Sequence, residues 1–309
     1  TVNFLGKKGI FFGLSLAVIA VGFITMGVYK MNTGDALNYS LEFKGGTSTS
    51  VEFNEDMSIE ELDEKVVPII EEISKDANVQ TQKVQGSNQV IFKSATLDVS
   101  QREELNSRLE EEFGVDPEKI TAETISSTIS SEMRTGAVSA VVVSTVLMLL
   151  YVWFRFKDVR FGASSVAALV HDVLVVLAFY AAARVSVGNT FIACMLTIVG
   201  YSINATIVIF DRIRENMTSY KTKEELAAIV NRSISQTLSR SIFTSLTTFI
   251  MVAVLYILGV SSIKEFALPL MVGIACGTYS SICLASAFWY LLRTRVGGKK
   301  AEKDKKAAK

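Results

Sequence analysis

Apolar residues run almost unbroken along six stretches of this chain: 9–29, 136–154, 161–183, 190–210, 241–260 and 266–292. Crossing the hydrocarbon core of a bilayer as a helix takes about 20 mostly apolar residues. Each stretch therefore predicts a membrane-spanning helix. The fourth is moderately polar, and the sixth is long enough to tilt.

Between the first two stretches the pattern shortens. Tyr39, Leu41 and Phe43 alternate, and 47–54 is rich in β-formers. Ser58-Ile59-Glu60-Glu61 has the form of a capping box. It opens a helix with Ile59, Leu62, Val66, Ile69, Ile70 and Ile73 as its apolar stripe. Strands are predicted at 79–85 and 89–93, joined by the turn formers Gly86-Ser87-Asn88. A second capping box, Ser100-Gln101-Arg102-Glu103, opens a helix carrying Leu105, Leu109 and Phe113, and Gly114 suits its C-terminal cap. A last strand falls at 120–124. The order β-α-β-β-α-β predicts a ferredoxin-like α+β domain. That fold hosts many functions and decides none by itself.

Half of the 309 residues are apolar, which separates the chain from ordinary soluble domains. A formal net charge of zero hides an asymmetry. Between Met31 and Met133 there are 8 Lys/Arg and 22 Asp/Glu, and the rest of the chain is basic by the same margin. Positive charge gathers at Lys7 and Lys8, at Arg155, Lys157 and Arg160, in the 212–240 segment and in the tail from Arg293. The short loops on the opposite side hold only Arg184 and Lys264. The positive-inside rule then puts both termini in the cytoplasm and the acidic segment outside. The expected domains are 1–30, a cytoplasmic N-terminus and first span; 31–133, the extracytoplasmic domain; 134–293, spans two to six; and 294–309, a basic tail. The first apolar run is long for a signal peptide and no small-x-small site follows it, so it reads as an uncleaved anchor. The acidic surface reads either as a solubility device or as a filter on which unfolded or partner surfaces are tolerated.

Some polar residues sit where lipid should be. His171-Asp172 lies near the centre of the third span. An ionisable residue there faces the bundle interior and often marks an ion path, so a protonatable site is expected; the bland reading is a hydrogen-bonded packing pair. In the fourth span Ser202, Asn204 and Thr206 read as interhelical hydrogen-bond glue, and Gly200 as a point of close backbone approach. Gly9/Gly13 and Gly273/Gly277 have GxxxG spacing and mark packing faces. Asp211-Arg212-Ile213-Arg214-Glu215 can pair across helical turns where the fourth span ends. Thr222-Lys223-Glu224-Glu225 starts a helix over 222–238 with Leu226, Ile229, Val230, Ile234 and Leu238 on one face, as in a helix lying on the cytoplasmic membrane surface. Arg240 enters the fifth span either snorkelling to headgroups or serving the bundle interior.

The remaining chemistry is sparse. Cys194, Cys276 and Cys283 all fall in spans and read as small packing residues. With one histidine and three scattered cysteines, no metal site is expected. No phosphate loop, nucleophile–base pair or paired catalytic carboxylates can be found, so no cofactor, no nucleic acid and no enzymatic activity are expected.

Four stretches together resemble the SecF family. They are "LEFKGGTS" with its Gly45-Gly46 pair, "ALVHDVLVVLAF", "LTIVGYSINATIVIFDRIREN" with Gly200, Tyr201, Ser202, Asp211 and Arg212, and "SRSIFTSLTTF" with Arg240. The resemblance implies a six-span half of an RND-type assembly that pairs with SecD. It implies work beside the SecYEG channel, with SecA as cytoplasmic motor, using the proton-motive force to complete export of an unfolded polypeptide across the bacterial cytoplasmic membrane. Membrane lipid is the surrounding solvent. It also implies an ion pathway through Asp172, His171, Asn204 and Arg240. At one position the chain departs from the family. An acid usually follows the Asn of GYSIN and is a favoured proton carrier; here that residue is Ala205. Asp172 or acids of SecD would then carry the step, or the coupling ion differs, or the chain is decoupled. The alternative function is an RND-type transporter half for a small molecule or ion.

Overall fold

The computed structural model describes residues 3–77, 79–84, 86–156, 158–217, 222–259 and 261–294. The chain divides into two compact units. One comprises residues 38–139 and 186–189; the other holds 1–37, 140–185 and 190–309.

The first unit follows α1 (Lys8–Thr33) and begins with α2 (Leu41–Lys44) and β1 (Gly46–Glu52). The alternation of Tyr39, Leu41 and Phe43 thus becomes one helical turn that buries Phe43. Tyr39 bridges to Val187 instead. The predicted stripe forms two helices, α3 (Ile59–Lys65) and α4 (Val67–Ser74), because Pro68 falls in the first turn of α4 and has no N–H to continue α3. Ser58 caps α3 as expected, with Ser58 Oγ accepting from Glu61 N–H. Ile59 faces outward, while Leu62, Val66, Ile69, Ile70 and Ile73 are buried.

Next come β2 (Gln80–Lys83), β3 (Gln89–Ser94), α5 (Val99–Phe113) and β4 (Ile120–Ile125). The box capping α5 starts two residues earlier than expected. Asp98 Oδ1 accepts from Gln101 N–H at 2.8 Å, and Gln101 Oε1 accepts from Asp98 N–H at 3.0 Å. Ser100 donates to the same Asp98 carboxylate and is not the cap. A negative charge at the positive end of the helix dipole favours that choice. Gly114 ends α5 in the left-handed conformation, as predicted. The sheet order is β2-β3-β1-β4 with all pairs antiparallel, which is the ferredoxin-like arrangement. Val51, Phe92, Leu62, Leu105 and Leu109 form the core between sheet and helices.

The second unit contains the long helices: α1, α6 (Ser127–Phe156, whose first turns belong to the other unit), α7 (Val159–Ala183), α8 (Asn189–Asn216), α9 (Lys223–Leu258) and α10 (Ser261–Tyr279). α10 runs into a π-helical segment, Ser280–Ala285, and on to Thr294. Among the described residues six helices are long and apolar enough to cross a membrane. Five of them contain the whole of one stretch read from the sequence, and α9, which ends at Leu258 with Gly259 as an extended cap, contains the fifth stretch over 241–258.

Two expectations need correction. The amphipathic helix over 222–238 and the fifth span are one continuous helix of 36 residues, about 54 Å long at 1.5 Å per residue. Its stripe, Leu226, Val230 and Ile234, joins the cluster formed with Ile209, Phe210 and Ile213 of α8 and with Trp289. The stripe covers protein, since an apolar face of that width suits either solvent. The small-residue faces also sort differently. Gly273 and Gly277 let α10 approach α8, where an added Cβ would meet the Ile198 side chain and Ser202 Cβ. Gly9, Gly13 and Gly200 meet nothing within 4 Å; in α1 the close contact is made by Gly22 against Ala178.

Candidate functional site

Asp172 is the centre of the polar interior of the helical unit. It sits midway along α7 with no exposed surface. A carboxylate that leaves water needs hydrogen bonds on both oxygens, and it has them. Oδ1 lies 2.9 Å from His171 Nδ1 and 3.3 Å from Cys276 Sγ. Oδ2 accepts from Ser202 Oγ at 2.5 Å and from Ser280 Oγ at 2.7 Å. The donors come from α7, α8, α10 and the π segment. π-helical turns are often found at functional sites, and here one holds both Ser280 and Ser281 in the interior.

The network extends to the neighbouring helices. Thr206 Oγ1 lies 2.9 Å from Ser281 Oγ, which also donates to the Ser202 carbonyl at 3.3 Å. Tyr201 and Thr278 both donate to Ser245 Oγ, at 2.7 and 2.6 Å, and so tie α8 and α10 to α9. His171 Nε2 is buried without a hydrogen-bond partner, and the residue lines a largely apolar cavity of about 450 Å³.

Cys276 corrects the reading of the cysteines. It lies about a hundred positions from His171 in the chain, yet the nitrogen, oxygen and sulfur of His171, Asp172 and Cys276 fall within 4.8 Å of one another. Such a mixed donor set can hold a borderline-soft cation such as zinc. Sequence spacing gives no hint of it, because helix packing brings the three together.

The other expected residues lie around a second, smaller feature. Tyr201, Asn204, Ala205, Arg240 and Ser241 line a cavity of about 80 Å³ between α8 and α9. Asn204 and Arg240 are exposed at its rim, and Ser241 is buried beneath. Asp211 pairs with Arg155 of α6 at 2.8 Å, not along its own helix. Arg212 pairs with Glu215 at 2.7 Å one turn away, as predicted. Gly45 and Gly46 belong to the other unit. Both have positive φ, 77° and 121°, and a Cβ on Gly46 would strike the Ser94 carbonyl.

Sequence reasoning missed Cys276, Thr278, Ser280 and Ser281. A signal existed: "GTYSS" is a polar run inside the sixth apolar stretch, of the kind already noted in the fourth.

Six long apolar helices, one of them holding a buried, hydrogen-bonded carboxylate, and a small ferredoxin-like domain that lies in the chain between the first two, define a multi-pass membrane protein. Comparison with known proteins makes this specific. Residues 105–295 match the family described as "Protein export membrane protein SecD/SecF, C-terminal". Protein translocase subunit SecF of Sebaldella termitidis is 38% identical over 271 residues, covering 87% of this chain and 86% of that one. SecF of Petrotoga mobilis is 34% identical, covering 92% and 94%. The crystal structure of SecDF, a translocon-associated membrane protein from Thermus thermophilus, superimposes with a TM-score of 0.78 at 36% identity. It covers 95% of this chain, which spans only 39% of that longer one. The chain belongs to the SecF family of protein translocase subunits, and its role is a SecF-like one in protein export. These relatives do not favour the small-molecule or ion transporter alternative.

Proposed function

We propose that this subunit works with SecD beside the SecYEG channel, after SecA has driven a polypeptide partway, and uses the proton-motive force to complete its export. The proposed membrane is the bacterial cytoplasmic membrane, with both termini inside and 31–133 outside. The SecD pairing is supported by relatives in which a single SecDF chain includes the region matched here. The topology is supported by the charge asymmetry.

The observation that carries the mechanism is Asp172, a carboxylate fully buried in mid-span with donors on both oxygens. A permanent charge there is costly, and one that can be neutralised by a proton is a chemical means of coupling. Protonation of either oxygen turns an acceptor into a donor. The hydroxyls of Ser202 and Ser280 can rotate to answer that change, so α8 and the π segment feel the protonation state of α7. Ala205 has no proton to carry. In this reading the step therefore passes through Asp172, with His171 as its neighbour.

The test is Asp172→Asn. The variant is expected to insert and to co-purify with SecD, while proton-dependent completion of export falls to the level seen without the gradient. Normal gradient-dependent export would reduce Asp172 to a packing residue. Topology is checked separately with Ser87→Cys, which should react with an impermeant thiol reagent in intact cells. Reaction only after lysis would invert the map.

A further inference from the structure

The acidic unit contains a basic cleft. Of the 8 Lys/Arg between Met31 and Met133, three (Lys44, Lys75 and Lys93) line one cavity of about 340 Å³. One acid, Asp76, also stands on its wall and accepts from the Ala95 N–H at 2.8 Å through Oδ2, and Lys93 Nζ donates to Gln82 Oε1 at 3.3 Å, so three lysines stand against one carboxylate there. In a segment where acids outnumber bases 22 to 8, such a grouping reverses the local field.

The backbone around the cleft is also specialised. Lys75 ends α4 in the left-handed conformation with φ of 55°, one of two non-glycine residues among those described with positive φ. Gly45 and Gly46, both at positive φ, line the cleft without placing a side chain in it. Residues in such conformations concentrate at functional sites. Tyr39 and Leu41 supply an aromatic and an aliphatic wall beside the lysines.

We propose that this cleft binds carboxylate side chains of an extended polypeptide. This rests on the export reading, in which 31–133 meets the unfolded chain outside the membrane. Lysine is a point charge that accepts a carboxylate without demanding fixed geometry, which suits a passenger whose sequence varies. Size argues against a lone inorganic anion. The cavity holds roughly ten times the ~30 Å³ that a water occupies in the liquid, and it lies at the small end of the range for organic ligands. The tyrosine and leucine walls suit the carbon stem of a glutamate and its neighbours. The acidic remainder of the surface repels the same peptide, so capture is local and release is easy.

The experiment uses the full chain in nanodiscs and fluorescence anisotropy of a short, labelled Gly/Ser peptide carrying two glutamates. Its twin carries glutamines. The acidic peptide should bind at least about tenfold more tightly than its twin. A Lys44→Gln/Lys75→Gln/Lys93→Gln variant should lose about the same factor, while Lys93→Arg with Lys75→Arg keeps the affinity and controls for folding. Equal binding of the two peptides, or full affinity in the triple glutamine variant, overturns the proposal. So does displacement of the peptide by inorganic phosphate at equal concentration, which would make this a small-anion site. Binding that follows the phosphatidylglycerol content of the nanodisc and ignores the lysines would make it a lipid effect and likewise overturn it. Export assays separate the two readings. If Asp172→Asn stops gradient-driven export and the triple variant does not alter it, the export reading stands and the cleft has no part in it.

Discussion

The two units of this protein place their polar and apolar groups in opposite ways. In the unit holding the sheet, Val51, Leu62, Phe92 and Leu109 are sealed from solvent, while its capping boxes and ion pairs lie at the surface. In the helical unit, Phe154 and Leu258 expose 78% and 80% of their surface, while Asp172, Ser202 and Ser280 expose none. The solvent explains the inversion. Water drives apolar groups together, so the sheet unit is held by burial. Lipid tails are as apolar as leucine, so helix association in a membrane rests on close packing and interhelical hydrogen bonds. What the sheet unit keeps outside, the helical unit must keep inside, and the hydrogen bonds of Asp172 are part of the same network that joins its helices.

The largest expected effect tests the water-facing half of that contrast. Phe92 is fully buried and meets Phe53 edge-on at 6.4 Å between centroids. Phe92→Ala removes that packing and should cost about 3–5 kcal/mol. Limited proteolysis of 31–133 should accelerate while the membrane helices stay protected. A loss under about 1 kcal/mol would mean that the sheet unit does not depend on its apolar core.

A second prediction inserts a charge into the lipid-facing half. Ala205→Asp puts a carboxylate into the small cavity that Arg240 and Asn204 share, where an opposite charge can compensate it. The expected outcome is normal insertion and stronger gradient dependence of export than in the present chain. An unchanged rate and gradient dependence would exclude this position from the proton path. Misfolding would show that Arg240 cannot serve as its partner.

The smallest effects belong to the exposed caps. Ser58→Ala should cost about 1 kcal/mol, read as a lower midpoint in urea unfolding of the sheet unit. The same box gives the pH dependence. Backbone and side-chain hydrogen bonds from Ser58 hold the Glu61 carboxyl below its ordinary value, and those from Gln101 and Ser100 do the same for Asp98. A lowered folded-state value means that stability is present above the ordinary carboxylate range and is lost as pH falls through and below it. Acidification below the ordinary Glu value of 4.5 should therefore lower the midpoint in the present chain, and less steeply in Ser58→Ala. An identical slope in both would separate the cap from the acid sensitivity.

Much of this molecule was legible in the sequence, and the reason is local. The six spans follow from apolar length against bilayer thickness. The β-α-β-β-α-β order follows from short periods, capping residues and turn formers whose effects reach only a few positions. Where local signals competed, the reading slipped. Pro68 split one expected helix, and Asp98 displaced Ser100 as a cap. The burial of Asp172 in a polar network could also be anticipated, since a carboxylate at mid-span must face the bundle interior.

Tertiary structure alone decided which groups meet Asp172. Polar residues such as Ser202 and the Ser280-Ser281 pair mark an inward face on an otherwise apolar span, but they do not name a partner on another helix; packing turned Cys276, Ser280 and Ser202 toward one carboxylate. The π segment altered the helical register just where Ser280 and Ser281 had to turn inward. Likewise only packing joined Asp211 to Arg155, and only packing turned the stripe of α9 toward α8 and Trp289. The sequence determined how many helices cross the membrane and what kind of domain lies between the first two. Helix rotation and register, fixed by contacts between residues far apart in the chain, determined the site.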